Sequence, residues 1–335
     1  MALRPFSLVY GLAARGRVAA YRAGAVRAQR LPGAVISVGN LTVGGTGKTP
    51  FVAWLAARLQ SEGKRVGILM RGYGGFASRS RGRPAAEPDE VAMLRARLGL
   101  CVPVGVGKNR YAAAQPLVAQ GIDWFVLDDG FQHLHLVRDA DVVLLDATDP
   151  FGGGLLPAGR AREPRSALRR ADMLVISRAE RAPGLESLLQ RLSAAPVFYA
   201  QTALEGIEPV RGWADAPAAP AAARFFAFCG IGNPSAFEAD LQRWAPQLGG
   251  AVAGLQAFAD HHRYTEDELR RIERAARDAG AGALLCTEKD SFNLPPALPL
   301  TLPLFYCRIR LQPADEEGFL RVLREVVARR RGGGR

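Results

Sequence analysis

An α/β fold is what the sequence predicts: a parallel sheet with helices on both faces, followed by a smaller α/β unit. Three observations carry this. The β-branched run from Val35 to Val38 passes through a glycine-dense turn into a helical pattern from Phe51 to Leu59. A second apolar run, Trp124 to Leu127, ends on the acid pair Asp128-Asp129. After an Ala-, Pro- and Gly-rich stretch, a third run from Phe225 to Cys229 breaks at Gly230 and leads into a helix opened by Asn233-Pro234. Strands alternating with helical patterns build βαβ units with right-handed crossovers.

The first of these stretches reads Gly39-Asn40-Leu41-Thr42-Val43-Gly44-Gly45-Thr46-Gly47-Lys48-Thr49-Pro50. Strand, phosphate loop and helix in that order make the larger unit P-loop NTPase-like. The backbone from Thr42 through Val43, Gly44, Gly45, Thr46 and Gly47 is expected to turn N–H groups onto phosphate oxygens, and the helix N-terminus adds partial positive charge. Lys48 is placed to reach the outer phosphates and the Thr49 hydroxyl to ligate Mg²⁺, so ATP with Mg²⁺ is the implied ligand. One position departs from the usual pattern: Thr42 stands six residues before the lysine, where glycine is customary.

Composition sets the outer bounds. The 335 residues are 48% hydrophobic and 23% charged, which fits a soluble globular chain of about two domains and not a disordered one. The net charge of +12 points to an anionic partner. Only Lys48, Lys64, Lys108 and Lys289 are lysines among 44 basic residues. A skew this strong reflects base composition as much as ligand, so the charge is weak evidence for nucleic acid. It also marks each retained lysine as a candidate for a role that suits a compact ammonium. The four cysteines show no CxxC spacing and three lie in apolar, strand-like runs, the pattern of reduced buried thiols.

Residues 1–30 carry six arginines, no acid, and an uncharged run of ten residues from Pro5 to Ala14. That run is short of the ~20 residues needed to cross a bilayer. The segment is expected to be a basic amphipathic helix on an anionic membrane surface; the alternative is a helix packed on the core with a solvated arginine face. The larger domain is expected over 31–205, with a strand at Arg65 to Met70, a basic loop from Arg71 to Arg83, and a helix starting at Asp89-Glu90. A strand is expected from Cys101 to Val104. Gly105-Val106-Gly107-Lys108-Asn109-Arg110 imitates a dinucleotide fingerprint but has Arg110 at its third glycine.

Asp128 and Asp129 end a strand downstream of the phosphate loop, where P-loop proteins hold Mg²⁺ or its water shell. Gly130-Phe131-Gln132-His133 follows at once. Further strands are expected at Val142 to Leu145 and Met173 to Ile176, separated by a glycine-rich loop from Phe151 to Pro164, too long for a simple connection. A hinge is expected over 206–224, the smaller α/β domain over 225–328, and a frayed tail over 329–335. Within the smaller domain, Thr265 and Glu268 have capping-box spacing.

Taken together these motifs resemble one family, the tetraacyldisaccharide 4'-kinases of lipid A biosynthesis. The residues that carry the resemblance are the phosphate loop, Arg71-Gly72-Tyr73-Gly74, Asp128-Asp129-Gly130-Phe131-Gln132-His133, and Leu155-Leu156-Pro157-Ala158-Gly159 with Arg162-Glu163-Pro164. Gly230-Ile231-Gly232-Asn233-Pro234, Asp260-His261-His262 and Thr287-Glu288-Lys289-Asp290 complete the set. The resemblance implies a P-loop kinase of two α/β domains at the cytoplasmic face of the bacterial inner membrane, peripheral or N-terminally anchored; separately, the chain is expected to be monomeric. It would transfer the ATP γ-phosphate to the 4'-hydroxyl of an acylated glucosamine disaccharide 1-phosphate, giving lipid IVA, with no nucleic-acid partner.

By the same resemblance Asp89 and His261 form a catalytic pair, expected to meet across two domains. Lys48, Asp129 and Arg162 join them as catalytic residues, and Thr49, Asp128, Asp129 and Glu163 are the expected metal ligands. Pro88 and Val91 flank Asp89-Glu90 where similar proteins carry Gly-Asp-Glu-Pro. The residues alone leave another reading open, a P-loop switch or metal-insertion ATPase with a protein partner, using His133, His135, His261 and His262 as ligands.

Overall fold

The computed structural model describes residues 3–44, 47–72, 88–179, 182–210, 224–296 and 298–333. In chain order the elements are α1 (Arg4–Arg22), β1 (Ala34–Asn40), α2 (Lys48–Ser61), β2 (Val66–Met70), α3 (Asp89–Leu98), β3 (Val104–Val106) and α4 (Arg110–Ala119). β4 (Trp124–Asp128), β5 (Ala140–Asp146), β6 (Met173–Ser177), α5 (Pro183–Leu192), β7 (Val197–Pro209), β8 (Arg224–Cys229), α6 (Pro234–Leu248) and β9 (Ala251–Ala257) follow. The chain closes with α7 (Glu266–Asp278), β10 (Ala283–Thr287), the single turn α8 (Glu288–Ser291), β11 (Leu304–Pro313) and α9 (Glu316–Gly332). Two compact units result: Met1–Tyr73, Leu94–Thr202 and Leu311–Arg335 form the first, Gly74–Met93 and Ala203–Arg310 the second.

In the first unit the strand order is β3-β2-β4-β1-β5-β6-β7. Every pairing described among these strands is parallel. β1, β2, β5 and β6 are buried along their whole length, as strands are when helices cover both faces. The register pairs Val35 with Phe125 and Val143 with Leu174, so these side chains share a face. There they pack with Ala114 and Leu117 of α4, Leu189 of α5 and Leu168 of the 3₁₀ helix Arg165–Arg170. α2 and α9 lie against the sheet as well, and Phe51 meets Phe319 edge-on at 5.6 Å between them. β1 sits between β4 and β5, with Val38 beside Asp128. The phosphate loop therefore leaves the carboxyl edge of the sheet next to the acid pair, where open α/β sheets hold ligands.

Gly39 makes this closeness possible. A Cβ there would lie 2.6 Å from Phe131 Cβ and 2.7 Å from its backbone nitrogen. Gly39→Ala is expected to destabilise the protein by about 1–3 kcal/mol through overpacking, lowering the denaturant midpoint at constant m. An unchanged midpoint would mean that the turn after β4 moves freely.

In the second unit the order is β11-β10-β8-β9, with parallel pairings and a bulge at Phe225/Phe226. α7 covers one face through Leu269, Ile272 and Ala276 against Phe228, Leu284 and Leu304. α6 covers the other through Phe237, Leu241 and Trp244 against Phe225, Leu285 and Phe305. The expected capping box at the start of α7 is present, Thr265 bonding the Glu268 amide and Glu268 the Thr265 amide.

Several expectations are corrected. Asp89 belongs to the second unit, not to the phosphate-loop domain, because the chain contributes Gly74–Met93 there before returning. Gly206 to Pro209 continue β7 rather than forming a hinge, and 211–223 lie outside the described residues. The strand placed at Cys101 to Val104 is a 3₁₀ turn, Gly99–Cys101, with β3 starting at Val104. Cys101 is exposed, whereas Cys229, Cys286 and Cys307 are buried free thiols.

The tail was expected to fray, yet α9 runs to Gly332. Arg330 pairs with Asp172 at 2.6 Å, and Arg331 reaches the buried Asp139 at 3.3 Å while donating to the Gly33 carbonyl at 2.7 Å. An acid as buried as Asp139 needs such cations, and they hold the helix end in place. The basic loop expected from Arg71 to Arg83 is described only through Gly72.

Candidate active site

Residues expected at a site from the sequence come together in two groups, one in each unit. In the first unit, Gly47 takes φ 78° at the start of α2, a left-handed turn that glycine adopts without strain. Lys48 follows as the first residue of the helix and donates from Nζ to Asn40 Oδ1 at 3.0 Å. It also lies 3.5 Å from Asp129. Asp129 itself is at φ 54°, a conformation in which aspartate is enriched, and this swings its carboxylate between Lys48 and Arg162. Arg162 meets it at 2.6 Å. Burial opposes ionisation of Asp129, but the charges of Lys48 and Arg162 outweigh it and hold the carboxyl below its usual range.

Beside this cluster, Thr49 Oγ1 donates to Asp128 Oδ2 at 3.1 Å. A hydroxyl and a carboxylate oxygen brought together are hard donors of the kind Mg²⁺ takes, the ion keeping several waters of its own. Gln132 closes the group by donating to the Asn40 carbonyl at 3.0 Å. Thr42 is tolerated in place of glycine because its backbone is extended in an antiparallel bridge to Ala161, while the Val43 amide donates to the Arg160 carbonyl at 2.8 Å. The long loop after β5 thus forms one wall of the phosphate loop. Thr42, Val43, Gly44, Gly47, Lys48 and Thr49 are described; Gly45 and Thr46 lie outside the described residues.

Glu163 does not join the Thr49–Asp128 pair. Arg170 takes both of its oxygens, at 2.8 and 3.0 Å, which makes the carboxylate an anchor for the 3₁₀ helix and not an open metal ligand.

In the second unit Asp89, the first residue of α3, is 6% exposed. Its Oδ2 accepts from His261 Nδ1 at 3.0 Å and from Asn293 Nδ2 at 3.0 Å, and its Oδ1 accepts from the Glu90 amide at 2.9 Å. Burial disfavours the charged carboxyl, but hydrogen bonding by His261, the Lys289 charge and Asn293 outweigh it and lower the pKa. His261 stands at φ 59°, held by its amide donating to the Gly230 carbonyl at 3.1 Å. Its imidazole pKa is raised by the hydrogen bond to Asp89, against burial and the Lys289 ammonium. Lys289 Nζ lies 3.3 Å from His261 Nε2 and donates to Asp260 Oδ1 at 2.9 Å.

The predicted pair therefore touches, but inside one unit and not across two. Sequence reasoning missed Asn40, Asn293 and the closeness of Lys289 to the imidazole. The scarcity of lysine and the Thr287-Glu288-Lys289-Asp290 motif both marked Lys289, though neither pointed to the imidazole; nothing local marked Asn293.

The histidine-ligated metal reading finds no support: among the described residues no group of three or more His, Cys, Asp or Glu is arranged to hold a metal. His133 and His135 meet edge-on at 6.3 Å between centroids, and burial together with nearby cations pushes the His133 pKa down to about 4.

Comparison with known proteins shows the family. The chain matches the family described as LpxK, tetraacyldisaccharide-1-P 4'-kinase, over residues 1–328. It is 41% identical over 313 residues to the tetraacyldisaccharide 4'-kinase of Geobacter metallireducens, covering 88% of this chain and 89% of that protein. It is 39% identical over 323 residues to the same-named protein of Geobacter sulfurreducens, covering 92% and 88%. The crystal structure of LpxK from Aquifex aeolicus in complex with ATP superposes with a TM-score of 0.68 at 29% identity, covering 97% of this chain and 98% of that one. The chain belongs to the tetraacyldisaccharide 4'-kinase family.

Proposed function

We infer that the chain carries out its family's reaction with two sets of residues in distinct roles. It is an ATP-dependent phosphotransferase that phosphorylates the 4'-hydroxyl of an acylated glucosamine disaccharide 1-phosphate, a step of lipid A biosynthesis. Lys48 and Arg162, preset by Asp129, meet the charge that develops on the transferred phosphoryl group. Thr49 and Asp128 would hold Mg²⁺, which supplies further charge neutralisation at the phosphates when bound.

The acceptor hydroxyl is handled by Asp89 and His261. The observation that carries this is the 3.0 Å hydrogen bond between His261 Nδ1 and Asp89 Oδ2. With Nδ1 donating to the carboxylate, the proton-free nitrogen is Nε2, and that atom takes the hydroxyl proton. Asp89 is the weaker base of the two, because the donors on its oxygens stabilise its charged form and hold its pKa down while that of His261 is raised. It fixes the tautomer and makes the ring more basic, and Lys289 holds the Nε2 side of the imidazole until substrate arrives.

A pH profile tests this assignment. A protonated imidazole cannot accept a proton, so kcat should fall as pH drops through the His261 pKa, at a value above the ordinary 6.5. Asp89→Asn removes the hydrogen-bonded charge that raises this pKa and should move the acid limb to lower pH, on a reduced kcat. A limb that stays in place would take Asp89 out of this role.

The N-terminal segment supports attachment to a membrane surface, which for this lipid kinase we take to be the cytoplasmic face of the inner membrane. Phe6, Leu8, Val9 and Leu12 of α1 are each more than 60% exposed. The same helix is tied down by Ser7, which donates to the Leu155 carbonyl at 3.0 Å. Among the described residues no helix is long and apolar enough to cross a membrane. Phe6→Ser/Leu8→Ser/Val9→Ser/Leu12→Ser is expected to cut binding to anionic vesicles by at least tenfold, since each removes an inserted apolar side chain worth on the order of 1–2 kcal/mol. Unchanged partitioning would end the attachment reading.

A further inference from the structure

A cavity of about 260 Å³ opens between the second half of α1 and the 163–170 segment, both in the first unit. Arg15, Val18, Ala19 and Arg22 recur at helical spacing and form one wall; Glu163, Pro164, Ala167, Arg169 and Arg170 are on the other. Its one carboxylate, Glu163, is neutralised by Arg170 at 2.8 Å. Arg15, Arg22 and Arg169 pair with no carboxylate among the described residues, so the cavity holds three uncompensated guanidinium groups beside the apolar lining residues Val18, Ala19, Pro164 and Ala167. Guanidinium groups around a small concavity fit a phosphate, which they bind with charge-assisted and often bidentate hydrogen bonds. The apolar lining fits carbon attached to that phosphate.

The position along α1 identifies the source. Leu12, the last residue of the exposed apolar set, precedes Arg15 by three positions, about 4.5 Å along the helix axis. With the apolar set in the acyl boundary, a cavity mouth this near to it lies among the headgroups. No acid occurs in residues 1–30 to oppose an anionic surface there.

We propose that this cavity binds the phosphodiester headgroup of an anionic bilayer phospholipid, through Arg15, Arg22 and Arg169. The proposal rests on the membrane attachment argued above and deepens it: the protein reads the headgroup instead of only sensing surface charge.

The test is flotation of the full chain with phosphatidylcholine vesicles, with and without phosphatidylglycerol. Two double variants change the same charge on the same segment: Arg15→Gln/Arg22→Gln in the cavity and Arg4→Gln/Arg27→Gln away from it. The cavity variant is expected to lose about tenfold more phosphatidylglycerol-dependent binding than the control, which loses only the general surface attraction. Arg169→Gln, on the opposite wall and off the helix, is expected to lose about tenfold as well. All three side chains are exposed and pair with no carboxylate among the described residues, and circular dichroism melts are to check that each variant is folded.

Equal losses in the two double variants, or a wild-type protein with no preference for phosphatidylglycerol, would overturn the headgroup site while leaving membrane attachment standing. Failure of the wild type to float with any vesicle would overturn the attachment itself. A raised KM for the lipid acceptor with unchanged vesicle binding would assign the cavity to the acceptor's own phosphate and overturn the proposal.

Discussion

Lys48→Ala is expected to lower kcat by about 10²–10³-fold while leaving the protein folded. The direction follows from what the ammonium does before and during the reaction. In the free protein Lys48 donates to Asn40 and lies 3.5 Å from Asp129, and that carboxylate keeps a second cation, Arg162, at 2.6 Å. Removing Lys48 therefore leaves no uncompensated buried charge, and the thermal midpoint should shift little. The phosphate charge it is placed to neutralise exists only with nucleotide bound and is greatest in the transition state, so the loss appears in turnover. Near-normal kcat in a folded Lys48→Ala protein would remove the phosphate loop from the mechanism.

The second large effect concerns Asp89 and His261. Each single alanine substitution should cost about 10²–10⁴ in kcat, the range for loss of general base catalysis. The double variant should cost little more than either single one. The reason is geometric: Asp89 acts through the ring to which it is hydrogen-bonded at 3.0 Å, so without the ring its contribution has nothing to act on. Two losses that add fully in free energy would show that the residues work independently. Asp89→Ala also leaves the Asn293 amide with only the Lys289 carbonyl at 3.5 Å, so its thermal midpoint needs to be read beside the rate.

Much of the first unit was legible because its signals are local. Val35 to Thr49 encodes strand, left-handed turn and helix within fifteen positions, and the acid pair ends a strand that the register sets beside it. The thiols of Cys229, Cys286 and Cys307 were legible for a similar reason, since each lies in an apolar run. What sequence alone obscured is non-local. The placement of Asp89 depends on the chain entering the second unit at Gly74–Met93 and leaving again, which no composition shift announces. Glu163 looked like a metal ligand in its motif, and only the fold brings Arg170, seven positions on, back onto both of its oxygens. The arginine-rich end of α9 read as a solvated tail because Asp139 and Asp172, its partners, are more than 150 residues away. The contact of Asp89 with His261 was likewise reached through family resemblance and not through spacing.

The account's central claim is that phosphoryl transfer to a lipid hydroxyl, and not slow hydrolysis, is what the two sets of residues accomplish. The most direct measurement follows label from γ-³²P ATP in the presence of Mg²⁺ and either the acylated disaccharide 1-phosphate or its 4'-deoxy analogue. The account predicts label in the lipid with the natural acceptor, none with the 4'-deoxy analogue, and ATP consumption that depends on the 4'-hydroxyl. Equal ATP consumption with either lipid, with the label released as inorganic phosphate, would contradict it.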